Sequence, residues 1–352
     1  LSHAAGEGNC KQEAMKTITL EQPGQFSLSE TDAPAAIEPG EALVRVRRVG
    51  ICGTDLHAYH GRQPFFSYPR ILGHELGVEI VEIGPNDQGL RAGDTCAVEP
   101  YLNCGHCIAC RRGKTNCCAD LKVLGVHTDG GMREVIRVPA RKLHRSDRLS
   151  LDQLALVETL GIGAHAVDRA RLESGEFALV IGAGPIGLTV IQFAQAAGAQ
   201  VIALDVNANR LDFCRQQMGV EFALPADAGA PERVKEITHG DMPTAVFDAT
   251  GSAASMQQAF DYVAPGGRLT LVGLVRESIA FYDPDFHRRE ITLLATRNST
   301  SADFNRILSM LESGRIDTSP WITHRAPCTQ MIAQFPRWLE PDSGLIKAVV
   351  EF

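Results

Sequence analysis

Residues 177–205 read FALVIGAGPIGLTVIQFAQAAGAQVIALD. A short apolar run, FALVI, leads into Gly182, Gly184 and Gly187 in G-x-G-x-x-G spacing. Helical periodicity follows from about Pro185 to Ala197, and a second apolar run ends in Asp205. Strand, glycine loop, helix and strand in that order predict a parallel β–α–β unit. Gly182 permits the tight turn, Gly184 lets the main chain approach a pyrophosphate, and Gly187 lets helix and strand pack closely. The first helical turn, with Pro185 and Ile186, offers free N–H groups to phosphate oxygens. An acid at the end of the second strand accepts hydrogen bonds from a ribose 2′-OH and repels a 2′-phosphate, so Asp205 predicts NAD rather than NADP. Arg210 fits beside an adenine or, equally well, on a solvated helix face.

Further along, helices around Arg210–Met218, Ala253–Val263 and Ala302–Ser313 alternate with the apolar runs TAVFDAT and RLTLVG. The pattern predicts a doubly wound parallel sheet over 151–295. Thr250, Gly251, Val272 and Gly273 close two of its strands and are assigned to the same cofactor edge. Residues 15–150 differ in texture. ALVRVRRVGIC, ELGVEIVEIG, DTCAVEP and MREVIRVPA cluster β-branched residues between turn signals, so a β-rich domain is expected there. Residues 296–352 end in LIKAVVEF, a predicted strand. Residues 1–14 are expected to be a tag or flexible extension.

The chain has 352 residues, 44% hydrophobic and 22% charged, enough for about two domains. A net charge of -8 argues against a nucleic-acid partner. No apolar run reaches the ~20 residues of a membrane span, so no membrane association is expected. No export signal is visible, so a reducing cytoplasm is expected, where ten cysteines are thiols or metal ligands rather than disulfides.

Cys104, Cys107, Cys110 and Cys118 form C-x2-C-x2-C-x7-C, with a turn glycine at 105 and another at 113. Thiolates at that spacing wrap one tetrahedral zinc and leave no open position, which predicts a structural site in a lobe near 100–120. Cys117 is an alternative fourth ligand on spacing alone. The segment 50–75, GICGTDLHAYHGRQPFFSYPRILGHE, carries Cys52 and His74. A catalytic zinc needs about three protein ligands and an open position. Glu75 and Glu158 are both candidates for the third ligand. Asp55 is placed to orient an imidazole from behind.

GICGTDLH, ILGHELGVEIVEIG, the four-cysteine loop, VETLGIGAHAV and VIGAGPIGL occur in the order found in the zinc-dependent medium-chain dehydrogenase/reductase family, which this chain resembles from Met15 onward. The resemblance implies a GroES-like β-rich catalytic domain, a Rossmann NAD-binding domain, a C-terminal segment returning to the catalytic domain, and one catalytic and one structural zinc. It implies that Cys52 and His74 are ligands, that Glu75 coordinates or swings onto the metal, and that Glu158 replaces a cysteine ligand, as in the polyol branch. Thr54 then takes the substrate proton and His57 passes it to solvent, whereas outside the motif they read as a turn residue and a surface histidine. Arg297 falls where that branch has an arginine near the substrate, or else bridges domains. His60 and His127 are candidates for the pocket border.

Thr159 stands where the family often has proline, and Ala58 where sorbitol enzymes carry a bulky aromatic. The second departure argues against sorbitol itself. PRILGHELG, ETLGIGAHAV and ATRNST are more similar to bacterial sugar-acid dehydrogenases of the L-galactonate or L-gulonate 5-dehydrogenase kind. A threonine-type or simple alcohol dehydrogenase uses the same machinery, and a silent NAD-binding protein is the reading from another class. Rossmann sheet edges pair in this family, so a homodimer or homotetramer is expected.

Overall fold

The computed structural model describes residues 14–352 apart from 35, 64, 65 and 341. Of the expected extension, residues 1–13 therefore lie outside the described residues, while Ala14 opens the strand Ala14–Gln22 and pairs with Asp32.

Six parallel strands form one sheet, in the spatial order Phe222–Pro225, Gln200–Asp205, Phe177–Ile181, Ala245–Asp248, Arg268–Leu271, Thr292–Ala295. Their central residues are apolar and buried, among them Leu179, Val180, Ala203, Val246, Phe247 and Leu269. Helices cover both faces, so these strands read as continuous apolar runs and not as alternation. Strand order reverses between Phe177–Ile181 and Ala245–Asp248, the switch point at which an open parallel sheet offers a crevice beyond its strand ends.

The second sheet holds Ile322–Pro327, Lys347–Glu351, Glu41–Ile51, Glu75–Ile83, Thr95–Val98 and Leu143–Arg145, with Val135–Pro139 also paired to Glu41–Ile51. The C-terminal strand thus returns to the β-rich half, antiparallel to Glu41–Ile51.

Between the two sheets runs the helix Leu151–Ala170. Ser150 and Gln153 make a reciprocal capping box at its start, Gln153 N–H donating to Ser150 Oγ and Ser150 N–H to Gln153 Oε1. Arg171, at φ 50, ends it in the left-handed conformation. Fourteen of its residues are buried, on all sides. A helix apolar all round sits in a core, and this one packs on the β-rich half at its start and on helix Pro185–Ala196 further along.

Two expectations need revision. The helix over Ala253–Val263 is an α-helix only over Ala253–Gln258, followed by a 3-10 turn at Ala259–Tyr262. Pro265 pushes Ala264 out of helical backbone, which stops the segment early. Helices at Ala230–Ile237 and Asp283–Arg288 were not anticipated. Each has proline in its first turn, which reads as a break but is tolerated where the N–H has no partner anyway.

Candidate active site and metal centres

In the nucleotide loop, Gly182 adopts φ +93, and a Cβ on Gly187 would lie 1.7 Å from the Gly182 carbonyl oxygen. No side chain fits there, so the spacing is sterically fixed. Thr250 packs over Gly182, Gly273 packs on Gly251, and Val272 N–H donates to the Asp248 carbonyl, which gathers both later loops around the crevice. Asp205 is buried, accepting from Ala183 N–H at 2.6 Å through Oδ2 and from Asn207 N–H at 2.8 Å through Oδ1. The acid thus braces the glycine loop from the end of the second strand. The Arg210 guanidinium lies beside Gly184 and 3.7 Å from Asp205, at the loop mouth.

The four sulfurs of Cys104, Cys107, Cys110 and Cys118 lie within 4.8 Å of one another, and Cys117 is exposed and outside the group. The main chain aims N–H groups at these sulfurs: Cys104 N to Cys118 Sγ at 3.2 Å, Cys107 N to Cys104 Sγ at 3.4 Å, and Ala119 N to Cys107 Sγ at 3.5 Å. The Ala119 and Cys110 N–H groups draw the Cys107 thiol down to about 6. Backbone N–H groups also lower the Cys104 thiol, whereas burial pushes Cys118 up to about 11. A closed set of four sulfurs, with main-chain donors aimed at them, fits tetrahedral zinc. Among the described residues no cysteine forms a disulfide.

Ligand atoms of Cys52, His74 and Glu75 also lie within 4.8 Å of one another. Cys52 precedes helix Gly53–Tyr59, and His74 immediately precedes Glu75, which opens the strand Glu75–Ile83 paired with Glu41–Ile51. Glu75 lies opposite Gly50, where a Cβ would come 2.1 Å from its Oε2, so only glycine admits this carboxylate. Burial opposes charge on His74, but the Cys52 thiolate and the Asp55 carboxylate outweigh it and raise the imidazole well above its ordinary value. Asp55 Oδ1 lies 3.8 Å from His74 Nδ1, and both atoms are buried without a hydrogen bond. A thiolate, an imidazole and carboxylates with unsatisfied polar atoms in a closed space fit a bound zinc.

The two carboxylates differ. Glu75 is fully buried, and Lys347 Nζ donates to both of its oxygens, at 2.7 and 2.8 Å, while also donating to Thr159 Oγ at 3.2 Å. Glu158 accepts from the Tyr101 hydroxyl through Oε1. Its other oxygen makes no hydrogen bond among the described residues. Burial pushes the Glu158 carboxyl up, against the pull of His74. Neither Lys347 nor Tyr101 was picked out from the sequence. Lys347 left a trace, a lone cation inside the largely apolar strand LIKAVVEF; Tyr101 left none.

Thr54 and His57 sit three residues apart on helix Gly53–Tyr59, Thr54 half-buried and His57 exposed. Burial first, then the charges of Arg62, His60 and Arg276, push the His57 imidazole down. Arg276, from the dinucleotide half, donates to the Arg62 carbonyl and so bridges the cleft. Arg297 is exposed and close to His127, whose imidazole is pushed down by burial and then by Arg297 and Arg70.

Residues 38–148 match the model of the alcohol dehydrogenase GroES-like domain and residues 185–313 that of the zinc-binding dehydrogenase. L-galactonate-5-dehydrogenase of Escherichia coli is 38% identical over 96% of this chain and 99% of its own length. The 2-dehydro-3-deoxy-L-galactonate 5-dehydrogenase of Pseudoalteromonas atlantica is 33% identical over 93% and 95%. Among solved structures, the Escherichia coli short chain alcohol dehydrogenase RspB, complexed with NADH, superposes with a TM-score of 0.90 at 30% identity, covering 96% of this chain and 99% of that one. No helix among the described residues is long and apolar enough to cross a membrane. With a GroES-like half, a parallel dinucleotide sheet and two thiolate-bearing metal centres joined in one chain, the protein belongs to the zinc-dependent medium-chain dehydrogenase family, in its polyol and sugar-acid branch.

Proposed function

We propose that the protein oxidises a secondary alcohol of a sugar acid, an L-galactonate-like aldonate at C5, to a ketone with NAD as acceptor. The observation that carries the reading is the meeting of Cys52, His74 and Glu75, with the buried Glu158 carboxyl close enough to act on His74 and the two acids held by opposite neighbours. Lys347 holds both oxygens of Glu75, and Glu158 keeps one oxygen free, so Cys52, His74 and Glu158 are the ligands and Glu75 stands behind them. When bound, zinc supplies a Lewis acid for the alcohol oxygen and the nicotinamide supplies the hydride acceptor. Thr54 takes the proton of the substrate hydroxyl. His57, whose imidazole is pushed down by burial and then by the nearby cations, accepts it and releases it to solvent. The four cysteines hold the second zinc and shape their lobe.

Arg297, exposed and close to His127, places a cation at that end of the cleft, which suits a carboxylate better than a neutral polyol. Asp205 reads the ribose, and the thiol-rich chemistry suits the cytoplasm. The edge strand Thr292–Ala295, with Leu293 exposed on it, supports pairing of two sheets in a homodimer or homotetramer.

The test is NAD reduction across aldonates, polyols, L-threonine and small alcohols, with metal analysis. Aldonates should give the highest kcat/KM, with two zinc ions per chain; turnover of threonine or small alcohols alone overturns the sugar-acid reading. Cys52→Ala should lose one zinc and all but a trace of turnover while still binding NAD. In the same assay, Asp205→Ala should narrow the preference for NAD over NADP.

A further inference from the structure

The lobe that carries the four cysteines is tied to the cleft by one buried side chain. Asn116 lies in the 3-10 turn Thr115–Cys117, two residues before Cys118, and is 2% exposed. Its Nδ2 donates to the Arg297 carbonyl at 2.8 Å and lies 3.1 Å from His165 Nε2. A carbonyl only accepts, so the amide nitrogen must face Arg297, and its second hydrogen goes to the histidine. His165 Nε2 is therefore an acceptor, and its Nδ1–H donates to Asp303 Oδ2 at 3.0 Å. Asp303 in turn accepts from the N–H and hydroxyl of Thr300, each at 2.8 Å. A continuous set of hydrogen bonds thus joins the cysteine lobe, helix Leu151–Ala170 and the cap of helix Ser301–Glu312.

The stretch held by this set is bent. Asn298 has φ 51, a left-handed conformation uncommon outside glycine. Ser299 is fully buried against Gly161, where a Cβ would lie 2.4 Å from its Oγ, one helical turn beyond Glu158. Such a bend persists only when its surroundings over-determine it. Asn116 fixes one side and the Gly161 notch the other, leaving the Arg297 side chain projecting toward the His127 side of the cleft.

We propose that Asn116 is a positioning residue: it couples the four-cysteine lobe to the bend at residues 297–299 and thereby aims the Arg297 guanidinium at the substrate. The lobe then contributes to substrate affinity as well as to stability. This rests on the proposed contact between Arg297 and the aldonate.

The experiment compares Asn116→Leu, close in shape but without donors, Arg297→Ala and the double variant; Asn116→Ala replaces the leucine variant if that one fails to fold. Zinc content, Tm, the Kd of the aldonate by calorimetry, KM for aldonate and NAD, and kcat are measured. Asn116→Leu should keep both zinc ions and raise aldonate Kd and KM about tenfold, with kcat and the NAD KM little changed. In the Arg297→Ala background it should add nothing. Unchanged aldonate affinity in Asn116→Leu, an equal rise in the NAD KM, or effects that multiply in the double variant would overturn the inference. Unchanged affinity in Arg297→Ala overturns the Arg297 assignment and this inference together, whereas a defect in Arg297→Ala without one in Asn116→Leu removes only the inference.

Discussion

Gly187 and Gly50 show how a missing side chain positions chemistry. At Gly187 the helix opening the nucleotide site touches the preceding loop, and at Gly50 a strand makes way for the Glu75 carboxylate. Gly187→Ala must push the helix off the loop. It should cost about 1–3 kcal/mol, as over-packed sites do, and weaken NAD binding more than it lowers Tm. Chemical denaturation and NAD titration would show this; tight NAD binding by Gly187→Ala would contradict the close packing. Gly187 was legible from spacing because the motif encodes a backbone requirement. Gly50 was not, since its partner Glu75 lies on a neighbouring strand.

At the scale of elements, the helix Leu151–Ala170 belongs to both halves, presenting Glu158 toward the cleft and His165 toward helix Ser301–Glu312. Its apolar periodicity was readable, but its two packing partners were not, because both faces are apolar. Just beyond its end, Glu176 is held by Arg268 of the strand Arg268–Leu271, with Nη2 at 2.5 Å. Burial works against the charge, but Arg268, the Glu173 N–H and Thr244 outweigh it and hold Glu176 down to about 2 from 4.5. A carboxyl lowered on folding stabilises the native state above its unfolded pKa, and that contribution fades as pH falls through the folded one. Glu176→Gln should therefore lower Tm at pH 7, with the gap to the parent closing between about pH 4.5 and pH 2. A gap independent of pH would mean that packing, not charge, accounts for the loss.

Across the whole molecule, the C-terminal strand Lys347–Glu351 delivers a lysine into the centre of the catalytic half, 272 residues from its partner Glu75. Both side chains are buried, Glu75 at 0% and Lys347 at 2% exposure. Removing one charge strands the other, so Lys347→Met should destabilise by about 3–5 kcal/mol. Combining it with Glu75→Gln should recover part of that loss in a double-mutant cycle read by urea unfolding. Simple addition of the two losses would mean that the pair is not coupled.

What the sequence determined by itself is whatever repeats locally: the glycine loop, the cysteine spacing, the alternation of strand and helix, and the short run that carries Cys52, Thr54 and His57. Those patterns are set by backbone geometry and by ligand reach within a few residues, so order along the chain suffices. Tertiary structure alone decided which carboxylate faces Lys347 and which faces Tyr101, that Asn116 holds the Arg297 bend, and that one helix serves both halves. These depend on side chains meeting across 40 or more positions, as with Asn116 and His165, 49 residues apart, and no local pattern of residues encodes such a meeting.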